Sequence, residues 1–199
     1  MKEHLLPSIR LYLALTLLLG FGYPALVRAV GRIAFREAAD GSLLRKKDDP
    51  GAPVGSSLIG QSFVRTGHFH GRPSAAGSGY DAAASSGTNL GPTSKKLAEA
   101  VRAAVSSARE ENPTAPGPVP ADAATSSGSG LDPHISPENA RWQVARVSKE
   151  TGLSAGDLDA LIAARTEDRF LGVWGERRVT VLLLNLDLDT RLAAGGGKR

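Results

Sequence analysis

Leu11–Val27 reads LYLALTLLLGFGYPALV, and its reading decides how the rest of the chain is organised. The run carries no charge, and extended to Val30 it carries one, Arg28, near its end. About 20 such residues in a helix span the hydrocarbon core of a bilayer. Arg28 and Arg32 are placed to snorkel to the headgroups. Tyr12 and Tyr23 suit the interfacial belt. Gly20, Gly22 and Pro24 weaken the helix while letting another helix approach closely. A competing reading is a cleaved signal peptide, because Val27-Arg28-Ala29 has small residues at the cleavage offsets. Arg at the middle position and the length of the run favour an anchor. Val179–Leu188 is the other apolar stretch, and it is too short to span.

Lys2 and Arg10 precede the span, whereas Arg28, Arg32, Arg36, Arg45, Lys46 and Lys47 follow its core. By the positive-inside rule alone, the body would face the cytoplasm. The 199 residues suit one domain plus an extra segment. Without cysteine there is neither a disulfide framework nor a thiolate metal site. The net charge of +4 is mild, and basic residues beside the apolar run fit a membrane flank better than a nucleic-acid footprint. Aromatics at 5% leave little for base stacking.

Working outward, the expected organisation is a flank over 1–10, a transmembrane helix over 11–34, a connector over 35–56, a soluble domain over 57–190 and a disordered tail over 191–199. Ser57–Val64 (SLIGQSFV) reads as a strand. Residues 66–91 form a Gly-, Ser- and Ala-rich loop, long enough to be functional or disordered. Leu97, Val101, Ala104, Val105 and Ala108 recur at helical spacing. Asn112–Pro120 (NPTAPGPVP) ends that helix. Ser136-Pro137-Glu138 starts another, with Ala140, Val144 and Val147 on one face and Gly152 as its stop. Ser154 and Asp157 form a capping-box-like start ahead of Leu158, Leu161 and Ile162. Val179–Asp189 alternates as a strand, with Leu182, Leu184, Leu186 and Leu188 on one face. The other face carries Val181, Leu183, Asn185, Asp187 and Asp189. The fold class is a small mixed α/β (α+β) domain on a single N-terminal transmembrane helix.

Two stretches echo each other: Ser85–Pro92 (SSGTNLGP) and Ser126–Pro133 (SSGSGLDP). Each places a glycine-rich loop with free N–H groups ahead of a helix start, an arrangement suited to recognition. Several chemistries compete for these and nearby residues. Ser129, His134 and Asp132 could form a hydrolytic triad, although no G-x-S-x-G is present. His68 and His70, with His134, could hold a metal. Asn185, Asp187 and Asp189 could attract a cation. A phosphate-binding loop would need Lys-Ser/Thr after its glycine, yet the only Gly-Lys pair is Gly197-Lys198, at the tail. There is no Asp-Lys pair, so the chain lacks the phosphorylated Asp-Lys-Thr-Gly of a P-type pump. Docking or loop architecture is the preferred role for both loops.

Taken in order, the motifs resemble the C subunit of the bacterial Kdp potassium-transporting ATPase, from about Leu13 to Leu188. They are Ile59-Gly60-Gln61 with Phe63, Phe69-His70-Gly71-Arg72-Pro73-Ser74 with Tyr80, Ser85–Pro92, and Pro120 with Asp122. Ser127–Pro137 (SGSGLDPHISP), Gln143, Arg146-Val147, Gly172, Gly175-Glu176 and Val181–Asn185 complete the series. Trp142 stands where the family usually has Tyr, Thr88 where it has Ser, and Thr180 where it has Asn.

The resemblance implies a non-catalytic accessory subunit of a high-affinity, ATP-driven potassium uptake complex. Its partners would be a potassium-binding membrane subunit, a P-type ATPase subunit and a very small membrane peptide. It implies a single pass through the inner (plasma) membrane, with the N-terminus cytoplasmic and the body extracytoplasmic. This opposes the charge flanks, and assembly with partner helices can outweigh a flank bias. It also implies a catalytic chaperone that raises the ATP affinity of the ATPase subunit, with ATP bound by or with that subunit and potassium as cargo. Gln143 is the candidate nucleotide contact. The expected docking loops are Asn89, Leu90, Gly91 and Pro92, and Ser129, Gly130, Leu131, Asp132, Pro133 and His134.

Overall fold

The apolar run forms a helix, as its composition requires. A computed structural model describes residues 2–45 and 51–195; Lys46 and Lys47 of the flank and residues 196–199 of the expected tail lie outside the described residues. The chain divides into two units, residues 1–56 and 57–199.

In the first unit, α1 (Lys2–Leu17) runs through a π-helical turn (Leu18–Gly22) into α2 (Tyr23–Ala34). The Tyr23 N–H reaches back to the Leu18 carbonyl, five residues away. Pro24 follows with no N–H to offer, so the hydrogen-bond ladder shifts register there. The 31 residues of His4–Ala34 are long and apolar enough to cross a membrane. The expected connector has structure of its own. A short helix α3 (Arg36–Ala39) leads into a hairpin of β1 (Leu43–Arg45) and β2 (Pro53–Ser56). Leu44 faces Gly55 across the hairpin, and a register shift separates Leu44 from Arg45. The Ser56 hydroxyl donates to the Gly41 carbonyl at 2.7 Å.

In the second unit the order is α4 (Lys95–Glu111), α5 (Ala121–Ala124), β3 (His134–Ile135), α6 (Pro137–Thr151), α7 (Ala155–Ala164), β4 (Thr166–Glu167), β5 (Arg178–Thr180) and α8 (Val181–Gly195). Three short strands form an antiparallel sheet in the order β3-β5-β4. The sequence capping signals hold. Ser136 accepts from the Asn139 N–H at 3.0 Å and Ser154 from the Asp157 N–H at 3.1 Å. Gly152 ends α6 in the left-handed region, at φ 77°. Ala140, Val144 and Val147 of α6 pack with Leu158 and Ile162 of α7, Val179 of β5, and Val181, Leu184 and Leu188 of α8. Phe69, from the long loop, completes this core and is fully buried.

Two expected strands are corrected. Only Val179 and Thr180 of the predicted Val179–Asp189 strand lie in β5, and from Val181 the chain is helix through Gly195. Val181, Leu184 and Leu188 satisfy a helical spacing as well as the alternation does. Leucine is a strong helix former, and no β-branched residue interrupts Leu182–Asp189. The helix also takes up residues 191–195 of the expected tail. Ser57–Val64 forms no strand. Instead the Gly60 N–H bonds the Leu131 carbonyl at 2.8 Å, and Gly60 lies so close to Asp132 and Tyr80 that a Cβ would overlap both.

Candidate functional site

The echoed loops meet. The Ser86 N–H and the Ser85 hydroxyl both donate to the Ser129 carbonyl, each at 3.0 Å. Glycine makes the crossing possible. A Cβ on Gly87 would stand 2.7 Å from the Gly128 oxygen. Gly130, at φ +66°, lies so near Ala76 and Ser86 that a Cβ would come within 2.6 and 2.8 Å of their backbones.

The Phe69–Ser74 motif holds the second loop from beneath. The Ser74 hydroxyl donates to the Gly130 carbonyl at 2.6 Å and accepts from the Tyr80 N–H at 2.8 Å. Arg72 donates to Asp132 Oδ2 at 3.0 Å and to the Thr125 carbonyl at 3.3 Å. Asp132 Oδ1 accepts from the His134 N–H at 3.0 Å. Burial works against the Asp132 carboxylate, but hydrogen bonds from His134 and Arg72 outweigh it and bring its pKa down to about 2. Tyr80 donates to the Arg72 carbonyl at 2.6 Å; its pKa is pushed up to about 12 by burial and then by the Asp132 charge.

The backbones of Phe69 and His70 pair with helix side chains in place of strands. The Asn185 amide of α8 accepts from Phe69 N–H at 2.8 Å and donates to its carbonyl at 2.9 Å. The Gln143 amide of α6 does the same for His70, at 2.8 and 3.0 Å. Gln143 also donates to Asn139 Oδ1 and accepts from Arg146 Nη2, at 3.0 and 2.7 Å. Both its donors and both its acceptor positions are therefore engaged within the body. A nucleotide contact there would have to displace one of these bonds. Arg146, only 7% exposed, also holds the Thr66 and His68 carbonyls and Asn112 Oδ1. Burial lowers its pKa, against the charges of Glu111 and Glu150.

The competing chemistries do not assemble. The Ser129 hydroxyl accepts from the Leu131 N–H at 3.1 Å and lies 3.4 Å from Ser127, while the His134 ring faces Asp132. The three candidate metal histidines turn to separate carboxylates: His68 to Asp189 at 3.0 Å, His70 to Glu111, and His134 to Asp132. The hydrogen bond from His70 lowers the Glu111 pKa, against burial. No group of three or more metal-capable side chains converges among the described residues. The proposed cation face is dispersed by the helix: Asn185 holds Phe69, Asp187 pairs with Arg165, and Asp189 pairs with His68.

Of the expected docking residues, Asn89, Gly91, Pro92 and Ser129 are exposed. Leu90, Leu131, Asp132 and His134 are half-buried, and Gly130 and Pro133 are buried. Asn89 is held at φ 51°, which asparagine tolerates better than most residues. Beside the second loop lies a cleft of about 690 Å3, bounded by Arg72, Asp122, Asp132, His134 and Glu138 and by the β4–β5 hairpin. Sequence reading missed Asp122 as a brace. It accepts from the Ser136 N–H at 2.7 Å and from Asn139 Nδ2 at 3.1 Å, joining α5 to the start of α6. The missed signal was an acid two residues after Pro120, facing a helix start with its own donors.

Fold and site together define a small α+β body preceded by one long apolar helix, with its motif residues committed to fixing loops. A family profile described as "K+-transporting ATPase, c chain" matches residues 5–190. A protein of Myxococcus xanthus called "Potassium-transporting ATPase KdpC subunit" is 53% identical over 186 residues, 94% of this chain and 87% of that one. Proteins of the same name from Koribacter versatilis and Rhodospirillum rubrum are 47% and 48% identical, covering 95% and 96% of this chain and 95% and 97% of their own lengths. The chain belongs to this family, the c chain of the K+-transporting ATPase.

Proposed function

We propose that the chain is an accessory subunit of an ATP-driven potassium uptake complex, anchored by α1–α2 and acting through the surface of its interlocked loops. In this reading it has no chemistry of its own. It holds the potassium-binding and ATPase subunits together and raises the ATPase subunit's affinity for ATP. The observation that carries the reading is the commitment of the loop residues: Arg72, Ser74, Asp132 and Gly130 are spent on each other, which fits a preformed docking surface. Of the expected docking residues, Asn89, Gly91, Pro92 and Ser129 are exposed and available to meet a partner.

The body is placed outside the cytoplasm, where it cannot reach cytoplasmic ATP. Its effect on ATP affinity is then a coupling through the membrane subunits. A tenfold effect requires about 1.4 kcal/mol, within the usual range of allosteric coupling. In this reading Gln143 contributes by fixing the His70 segment rather than by contact with nucleotide.

The test is co-purification from membranes. A chain lacking the first 36 residues should no longer accompany a tagged ATPase subunit, while the full chain does. Equal recovery of both would overturn the proposal.

A further inference from the structure

The β4–β5 connection carries a feature that loop architecture does not use. Phe170, Leu171, Val173 and Trp174 are 71%, 73%, 70% and 63% exposed. Aromatic side chains offer about 150–250 Å2 each, so the four make an apolar patch on the order of 500 Å2, near the upper end for a monomer. The patch is not a floppy loop. Phe170 and Trp174 exchange backbone hydrogen bonds at 2.8 and 3.0 Å, and their rings lie 6.4 Å apart. The Gly172 N–H closes the turn onto the Arg169 carbonyl at 3.0 Å. Leu171 sits at φ 53°, a region that bulky residues seldom occupy, and its side chain gains little burial in return. Such strain at an exposed apolar tip points to a contact made outside the chain.

We infer that Phe170–Trp174 is a preformed plug that seats in an apolar pocket on another protein subunit of the transport complex. This rests on the docking role proposed above and gives that surface a second contact. The charges at the base of the hairpin decide between a protein and a lipid host. Arg177 pairs with Asp168 at 2.9 Å, Arg178 with Glu167 at 2.9 Å, and Arg169 with Glu176 at 4.0 Å. A segment drawn to an anionic bilayer presents unneutralised Lys or Arg. An apolar, Trp-bearing centre ringed by balanced charge is the anatomy of a protein interface. Arg169, Glu176, Arg177 and Arg178 also line the cleft that Asp132 and His134 border, so plug and docking loop share one continuous surface.

The test uses the full chain in membranes that contain the whole complex. A photo-reactive phenylalanine analogue replacing Phe170 is expected to give one discrete adduct with another protein subunit. An adduct with lipid alone, with a second copy of this chain, or no adduct would each overturn the inference. In parallel, Leu171→Gly and Trp174→Ser are expected to lower retention on the complex through a detergent wash at least fivefold. Leu171→Gly relieves the unfavourable φ, so the thermal unfolding of the full chain should be undiminished. Undiminished retention of both variants would contradict the plug. If the truncated chain loses co-purification while the plug variants keep it, the anchored-subunit reading stands and the plug fails. If the truncated chain still co-purifies, it is the anchoring in that reading that fails, whatever the plug variants do.

Discussion

Asp132 ties the second glycine-rich loop to Arg72 and to the start of β3 through two oxygens. Its pKa lies near 2 in the fold, below the ordinary 3.8. A depressed carboxylate contributes stability above its unfolded pKa and loses it as the pH falls through the folded one. The contribution should therefore be complete above about pH 4 and fade toward about pH 2. Urea unfolding of wild type and Asp132→Asn across that range should show a gap that closes on acidification; a constant gap would contradict this assignment. Gln143 supplies a second prediction. Gln143→Leu strands the half-buried His70 N–H and carbonyl, and an unmade hydrogen bond costs up to about 1–3 kcal/mol where water is excluded. Denaturant midpoints should register a loss of at least about 2 kcal/mol, and a neutral substitution would mean that the bracket is not holding the loop. Much of this was legible in sequence as types: Ser136, Gly152 and Ser154 read correctly because a cap is local chemistry. The pairing of Arg72 with Asp132, 60 residues apart, was not, because no local pattern encodes a long-range contact.

At the scale of elements, α8 is where the hydrophobic pattern fits a strand and a helix alike. A strand would put Leu184 and Leu186 on one face, whereas the helix buries Leu184 completely and leaves Leu186 half-buried. Leu184→Ala should cost about 2–5 kcal/mol, and Leu186→Ala clearly less. Equal costs would favour the strand. The helical assignment also accounts for the dispersal of Asn185, Asp187 and Asp189 to three partners, which an alternating strand would have kept on one face. A short Leu-rich run satisfies both periods, and what settles it is tertiary: Val181, Leu184 and Leu188 fit one seam against α6 and α7. The candidate strand at 57–64 fails for a related reason. Its backbone N–H at Gly60 is taken by a loop carbonyl 71 positions on, a partner no window of sequence contains.

For the whole molecule, the apolar N-terminal helix was the most legible feature, because length and composition alone define it. Orientation was the least legible, since the flanking charges and the family resemblance point opposite ways. If the body lies outside, protease added to intact spheroplasts should degrade it and leave the N-terminal flank protected; a protected body would reverse the topology. The central claim is that a body with interlocked, preorganised loops acts on the pump to raise its affinity for ATP. Its most direct measurement is the ATP dependence of potassium-stimulated hydrolysis by the purified pump, assembled with and without this chain. The account predicts a KM for ATP at least about tenfold lower when the chain is present, the effect of about 1.4 kcal/mol of coupling. The same KM in both assemblies would contradict it.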